Sequence, residues 1–233
     1  MSTDSATTET RPATGHIGLW FVLIAGVAIA GGLWLGLTTF GGPPRPAPPP
    51  VLQAGTMLPQ PKPLADFVLT DQDGHPFSLA NLSERWTFLA IGYTYCPDIC
   101  LMTLATFDAI KDGIVEAAAE RGDRTPAQFL FVSVDPERDT PERLSQYVRY
   151  FDPVFLGATG DEAQLQALTA QLGLLYARVE GQETAMGYSM DHSGSILLVD
   201  PLGRLAAIFS RPHDPSAMSA DFHAIETDYE ARP

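Results

Sequence analysis

The chain has 233 residues, 45% of them apolar, and carries 28 acidic against 14 basic side chains for a formal net charge of −14. That size suits one packed domain with additional segments, and the acidic balance, with no run of Lys or Arg, excludes nucleic acid as a partner. Its two cysteines, Cys96 and Cys100, fall in one short motif, which excludes a disulfide framework or a four-ligand zinc knuckle and points to redox or metal chemistry.

Residues 1–16 are mostly polar and read as an unstructured N-terminal tail. Residues 17–40 contain no charged side chain. A helix of that length covers roughly 36 Å, enough for a ~30 Å hydrocarbon core. Trp20 and Trp34 lie toward its two ends, where amphipathic rings favour the interface. A cleaved signal peptide needs an apolar stretch of only about 7–15 residues, so the segment reads as an uncleaved transmembrane anchor. Arg11 and Arg45 flank opposite sides, and charge bias sets no orientation. Residues 41–63 hold nine prolines, which fix φ and remove donors, so this stretch is expected to be an extended, semi-rigid linker.

The folded domain is expected over 64–233. Residues 86–93 and 128–134 read as buried strands, and 195–200 and 205–209 as a strand pair around a Pro-Leu-Gly turn. Helices are expected from Pro97 to about Ala119, from Thr140 as N-cap with Pro141 following, over 162–172, and from about Asp214. Strands alternating with helices, then a late hairpin, indicate an α/β fold with a mixed sheet covered by helices.

The segment from Gly92 to Cys100, Gly-Tyr-Thr-Tyr-Cys-Pro-Asp-Ile-Cys, joins the first core strand to its helix. With Pro97 as first helical residue, Cys96 falls at or near the N-cap, where free backbone N–H groups and the macrodipole favour a thiolate. Cys100 follows one turn later, so both sulfurs can face one small volume, to hold a soft ion or close a disulfide. The plainer reading, two inert buried thiols, is disfavoured by that placement.

This motif, together with Ser133-Val-Asp-Pro-Glu-Arg-Asp-Thr-Pro141 and Asp191-His-Ser193 before a strand, resembles the Sco/SenC family over residues 64 to the C-terminus. The resemblance implies a thioredoxin-like, membrane-anchored copper protein that helps assemble the dinuclear copper centre of cytochrome c oxidase. It implies Cys96, Cys100 and His192 as metal ligands, the two cysteines also as a redox pair. One departure is Leu101, where the family often has Pro. The donor set agrees chemically: two thiolates and an imidazole suit Cu(I), can hold Cu(II), and serve calcium or magnesium poorly.

His192 lies in residues 181–194, which read as a long loop able to open the site. Met186 and Met190 flank it and are expected to pack rather than ligate. His16 is assigned to the membrane boundary; His75, His213 and His223 read as ordinary surface residues. Asp98 in the first helical turn, and Asp135 and Asp139 after the second strand, are candidates to line the site behind the ligands; macrodipole complementation is the plainer role for Asp98, and turn and cap chemistry, slightly favoured, for Asp135 and Asp139.

Two functions of different class follow. One is a copper metallochaperone taking metal from a donor protein to the copper-containing oxidase subunit. The other is a membrane-tethered thiol–disulfide reductase that keeps the oxidase copper-site cysteines reduced. Thiol exchange needs no distal imidazole, so His192 separates the two. The resemblance implies a single pass of the bacterial inner membrane with the domain in the periplasm. The alternative is the mitochondrial inner membrane, which the N-terminus, holding Asp4 and Glu9 with only Arg11, does not favour.

Overall fold

The computed structural model describes residues 17–39, 49–121, 127–184 and 187–231. The chain divides into two compact units, residues 1–48 and 49–233. In the first, helix α1 (Ile17–Thr39) forms over the uncharged stretch. Among the described residues no helix is long and apolar enough to cross a membrane, the continuously described side chains covering only residues 20–36. The anchor expected over 17–40 therefore rests on the sequence. The polar tail at 1–16 and residues 41–48 of the linker lie outside the described residues.

The second unit is built on two buried, mostly apolar strands, β4 (Trp86–Gly92) and β5 (Ala127–Ser133). They pair in parallel, with Phe88 opposite Phe129 and Gly92 opposite Ser133. Burial on both faces is what a central parallel pair requires. Ten strands are described: β1 (Gly55–Pro63), β2 (Val68–Asp71), β3 (Pro76–Ser78), β4, β5, β6 (Leu156–Thr159), β7 (Tyr176–Thr184), β8 (Gly187–His192), β9 (Ile196–Val199) and β10 (Arg204–Phe209). Eight form a mixed sheet in the order β1-β10-β9-β4-β5-β6-β2-β3, while β7 and β8 form a separate two-stranded sheet.

Alternation along the strands divides the core in two. Phe88, Phe129 and Phe131 face helices α2 (Ile99–Arg121), α3 (Pro141–Phe151) and α5 (Pro215–Glu230), meeting Phe107, Val148 and Phe222. Leu89, Ile91, Leu130 and Val132 face the other way, onto Leu165, Leu168 and Leu172 of α4 (Glu162–Leu172). The expected cap at Thr140 is present: its side chain accepts from the Arg143 N–H, with Pro141 in the first turn. Asp161 caps α4 likewise, and α4 ends on Gly173 at φ 70°, the left-handed conformation that glycine adopts without strain.

The linker reading of 41–63 is corrected at its C-terminal end. Residues 55–63 form edge strand β1, antiparallel to β10 with a register break between Met57 and Lys62. The prolines that resembled a spacer are compatible with an edge strand, which needs donors on one side only. Asp221 of α5, 2% exposed, accepts from the backbone N–H groups of Gln53, Ala54 and Gly55 at 2.7–2.8 Å. The domain thus starts before Leu64.

Candidate metal centre

Beyond β4 the chain must turn tightly against β5, and Gly92 makes room: a Cβ there would lie 2.6 Å from Cys100 Sγ and 2.7 Å from the Phe131 ring. A turn follows, closed by the Cys96 N–H donating to the Tyr93 carbonyl at 3.2 Å. The Asp98 carbonyl then accepts from Leu101 and Met102, so Asp98 is the N-cap of α2. Cys96 therefore sits in the preceding turn, not at the N-cap, and Pro97 is not the first helical residue. The electrostatic expectation survives by another route. The backbone N–H groups of Asp98 and Cys100, among those a helix N-terminus leaves unpaired, favour the Cys96 thiolate.

His192 ends strand β8. The stretch expected as a loop is instead the β7–β8 hairpin, closed at its base by the register pair Tyr176 and His192, by Ser193 N–H to the Leu175 carbonyl, and by Leu175 N–H to Ser193 Oγ. His192 Nδ1 lies 3.1 Å from the Ser193 carbonyl. A carbonyl accepts only, so Nδ1 carries the proton and Nε2 presents its lone pair. Nε2 stands 3.4 Å from Cys100 Sγ, and the Tyr93 ring meets the imidazole edge to face at 6.0 Å. The ligand atoms of Cys96, Cys100 and His192 all lie within 4.8 Å of one another, the one such His/Cys/Asp/Glu cluster among the described residues.

Both cysteines are free thiols and buried. The Cys96 pKa is lowered to about 4, first because Cys100 donates its S–H to it; burial opposes this, and the backbone N–H groups of Asp98 and Cys100 reinforce it. Cys100 is pushed up for the complementary reasons: it supplies that hydrogen bond, it is buried, and it neighbours the Cys96 charge. One thiolate, one thiol and a lone-pair nitrogen converge on one volume, a soft three-donor set.

The three aspartates separate on inspection. Asp98 is exposed and contributes through its backbone. Asp139, wholly buried, accepts from Thr94 N–H at 2.8 Å, from Thr94 Oγ1 at 2.6 Å and from the Ser133 hydroxyl, bracing the turn that carries Cys96. Asp135 pairs with Arg138 Nε at 2.6 Å and accepts from the Tyr188 hydroxyl. Arg138 and Tyr188 drew no attention in the sequence; a Tyr four residues before the His on one strand face was the available signal. Met190 is half-buried against the core, and Met186 and His16 lie outside the described residues. Of the other histidines, His75 is an exposed turn residue near Asp71. His213 is half-buried within 3.3 Å of the Phe209 carbonyl and held below the usual histidine range by burial, and His223 is half-buried near Glu226, so neither of these two is an ordinary surface residue. Leu101 continues α2 as an exposed residue, so the missing proline leaves the helix intact.

Comparison with known proteins agrees. A SCO1/SenC family model matches residues 56–226. An SCO2-like protein of Rickettsia conorii is 34% identical over 153 residues, 66% of this chain and 72% of that protein. The crystal structure of Arabidopsis thaliana ScoI with copper bound superposes with a TM-score of 0.64 at 29% identity, covering 70% of this chain and 98% of that one. Bradyrhizobium japonicum ScoI with copper bound gives 0.59 at 30% identity over 69% and 98%. With its fold, its order of motifs and its two-cysteine, one-histidine cluster in accord, the chain belongs to the SCO1/SenC family.

Proposed function

We propose that this protein is a membrane-anchored copper metallochaperone that holds one copper ion through Cys96, Cys100 and His192 and delivers it to the dinuclear copper site of cytochrome c oxidase. The observation that carries this is the convergence of three soft donors within 4.8 Å, supported by relatives whose structures contain copper. Two thiolates and an imidazole suit Cu(I). Cys96, already ionised, is the entry ligand; Cys100 loses its proton on ligation, and Nε2 of His192 completes the set without reorienting. The uncharged helix α1 would hold the domain at a membrane, in bacteria with the domain in the periplasm, and the copper donor is a separate protein.

A second reading has its own observation. A depressed thiolate beside a buried, proton-bearing partner is also what thiol–disulfide exchange requires, so a reductase acting on the oxidase copper-site cysteines is a compatible companion activity. Anaerobic Cu(I) titration of reduced residues 49–233 against a competing chelator tests the first reading. Tight one-to-one binding lost in Cys96→Ser and Cys100→Ser, and weakened in His192→Ala, is expected. Weak binding together with rapid thiol exchange, unaffected by His192→Ala, would favour the reductase.

A further inference from the structure

The hairpin that carries His192 is not a strand of the main sheet: β7 and β8 pair only with each other. Its apolar hold on the domain is slight, with Met190 and Tyr176 partly buried against the two cores. Polar contacts join it to the domain at Tyr176, whose hydroxyl donates to Glu162 at 2.9 Å, and at Ser189, whose hydroxyl lies 3.4 Å from that of Tyr93, but the densest set is at Tyr188. Its hydroxyl donates to Asp135 Oδ1 at 2.5 Å and approaches Glu137 Oε2 at 3.2 Å. Its carbonyl accepts from Arg138 at 2.9 Å. Its ring lies between two guanidiniums, Arg138 at 3.7 Å and Arg178 at 3.6 Å from the centroid. Arg138 pairs with Asp135, and Arg178 approaches Glu137 at 3.6 Å, so the two positive and two negative charges around the ring balance.

Tyr188, Met190 and His192 alternate along one strand and share a face, Tyr188 about 13 Å from His192 at ~3.3 Å per residue. Strand β8 runs on without interruption from Tyr188 to His192, although its pairing with β7 shifts register between Tyr188 and Ser189, so docking Tyr188 against the 135–138 turn limits how far His192 can move. Contacts of this kind are made of ions and hydrogen bonds at a half-buried position, and separating them exposes little apolar surface.

We infer that Tyr188 is a positioning residue for the metal centre: docked between Arg138 and Arg178 on Asp135 and Glu137, it holds the β7–β8 hairpin closed and so sets the residence of His192 on the copper ion. The inference rests on the copper-site reading. With the latch released, the hairpin lifts and the ion keeps only its two sulfur ligands, the state from which an acceptor's ligand can enter.

The test is the rate at which Cu(I), loaded on the full chain, is lost to an excess of a strong Cu(I) chelator, in wild type, Tyr188→Phe, His192→Ala and the double variant. Tyr188→Phe is expected to speed loss about tenfold, the effect of one hydrogen bond to a charged group, and to add nothing in the His192→Ala background. The Cu(II) form should show weakened nitrogen hyperfine structure in its electron paramagnetic resonance spectrum, with the thermal midpoint lowered by only about 3–6 °C. Wild-type kinetics in Tyr188→Phe, or equal acceleration with and without His192, overturns the inference. If His192→Ala alone loses copper at the wild-type rate, the three-ligand reading fails first and the latch with it. Should Tyr188→Phe misfold, Arg178→Ala, which removes one face of the clamp at an exposed side chain, is put through the same cycle.

Discussion

Asp139 offers the sharpest test of how the site is braced. It is fully buried and accepts three hydrogen bonds, two from Thr94 and one from Ser133. Asp139→Ala orphans the Thr94 amide, which cannot turn elsewhere, and two hydroxyls, which can rotate in part. At about 1–3 kcal/mol per buried donor left unmade, the expected loss is about 3–4 kcal/mol. Asp139→Asn keeps an acceptor and needs one hydroxyl to reverse, for about 1–2 kcal/mol. Burial, the largest influence, pushes the Asp139 pKa above its ordinary value, with the hydrogen bonds from Ser133 and Thr94 pulling partly back. The native state therefore holds this proton to higher pH than the unfolded chain. Stability from this group is greatest below the unfolded value near 3.8 and falls as pH rises through the raised folded value. Urea unfolding from about pH 3.5 to 7 should show this fall in wild type relative to Asp139→Asn. An Asp139→Ala variant within about 1 kcal/mol of wild type would refute the bracing role, and a wild-type advantage that grows with pH would show instead that the hydrogen bonds outweigh burial.

Two further outcomes follow from the site. With its pKa near 4, Cys96 in the reduced, metal-free protein should react with iodoacetamide at a rate flat within about twofold between about pH 6 and 8, whereas an ordinary thiol speeds up roughly 80-fold over that range; a steep rise would return Cys96 to ordinary chemistry. Gly92→Ala drives a methyl into Cys100 Sγ and the Phe131 ring, and should cost at least about 1–3 kcal/mol in thermal or urea unfolding while impairing Cu(I) titration. Unchanged stability and binding would show that the turn has slack this geometry denies.

The parts legible in the sequence were those whose signal is local. Residues 86–92 and 127–133 are mostly apolar, with Thr87, Gln128 and Ser133 their polar members, a composition that suits a doubly covered strand. Thr140-Pro141 and Asp214-Pro215 announce helix starts chemically. The two cysteines and His192 were legible through their motifs, and the structure brings them together. The parts that escaped depend on distant partners. Strand β1 is proline-rich and becomes a strand only because β10 and the Asp221 carboxylate receive it. The hairpin at 176–192 is too polar for a buried strand pair and is held by residues 135–138. Cys96 leaves the helix because the chain turns at 93–96 before Asp98 starts it, a choice the Cys-Pro dipeptide does not encode.

The prolines of β1 have a consequence for how the domain meets its own copies. Leu64 donates its N–H inward to the Gly203 carbonyl, and Lys62 pairs with Leu205. Successive amides alternate in direction along a strand, so positions 61 and 63 point away from the sheet. Both are proline. Where an exposed edge ordinarily offers a row of donors to any passing strand, this one offers none at those two positions. The opposite edge, β3, is three residues long. Growth of the eight-stranded sheet is thereby hindered on one side by two missing hydrogens and on the other by brevity.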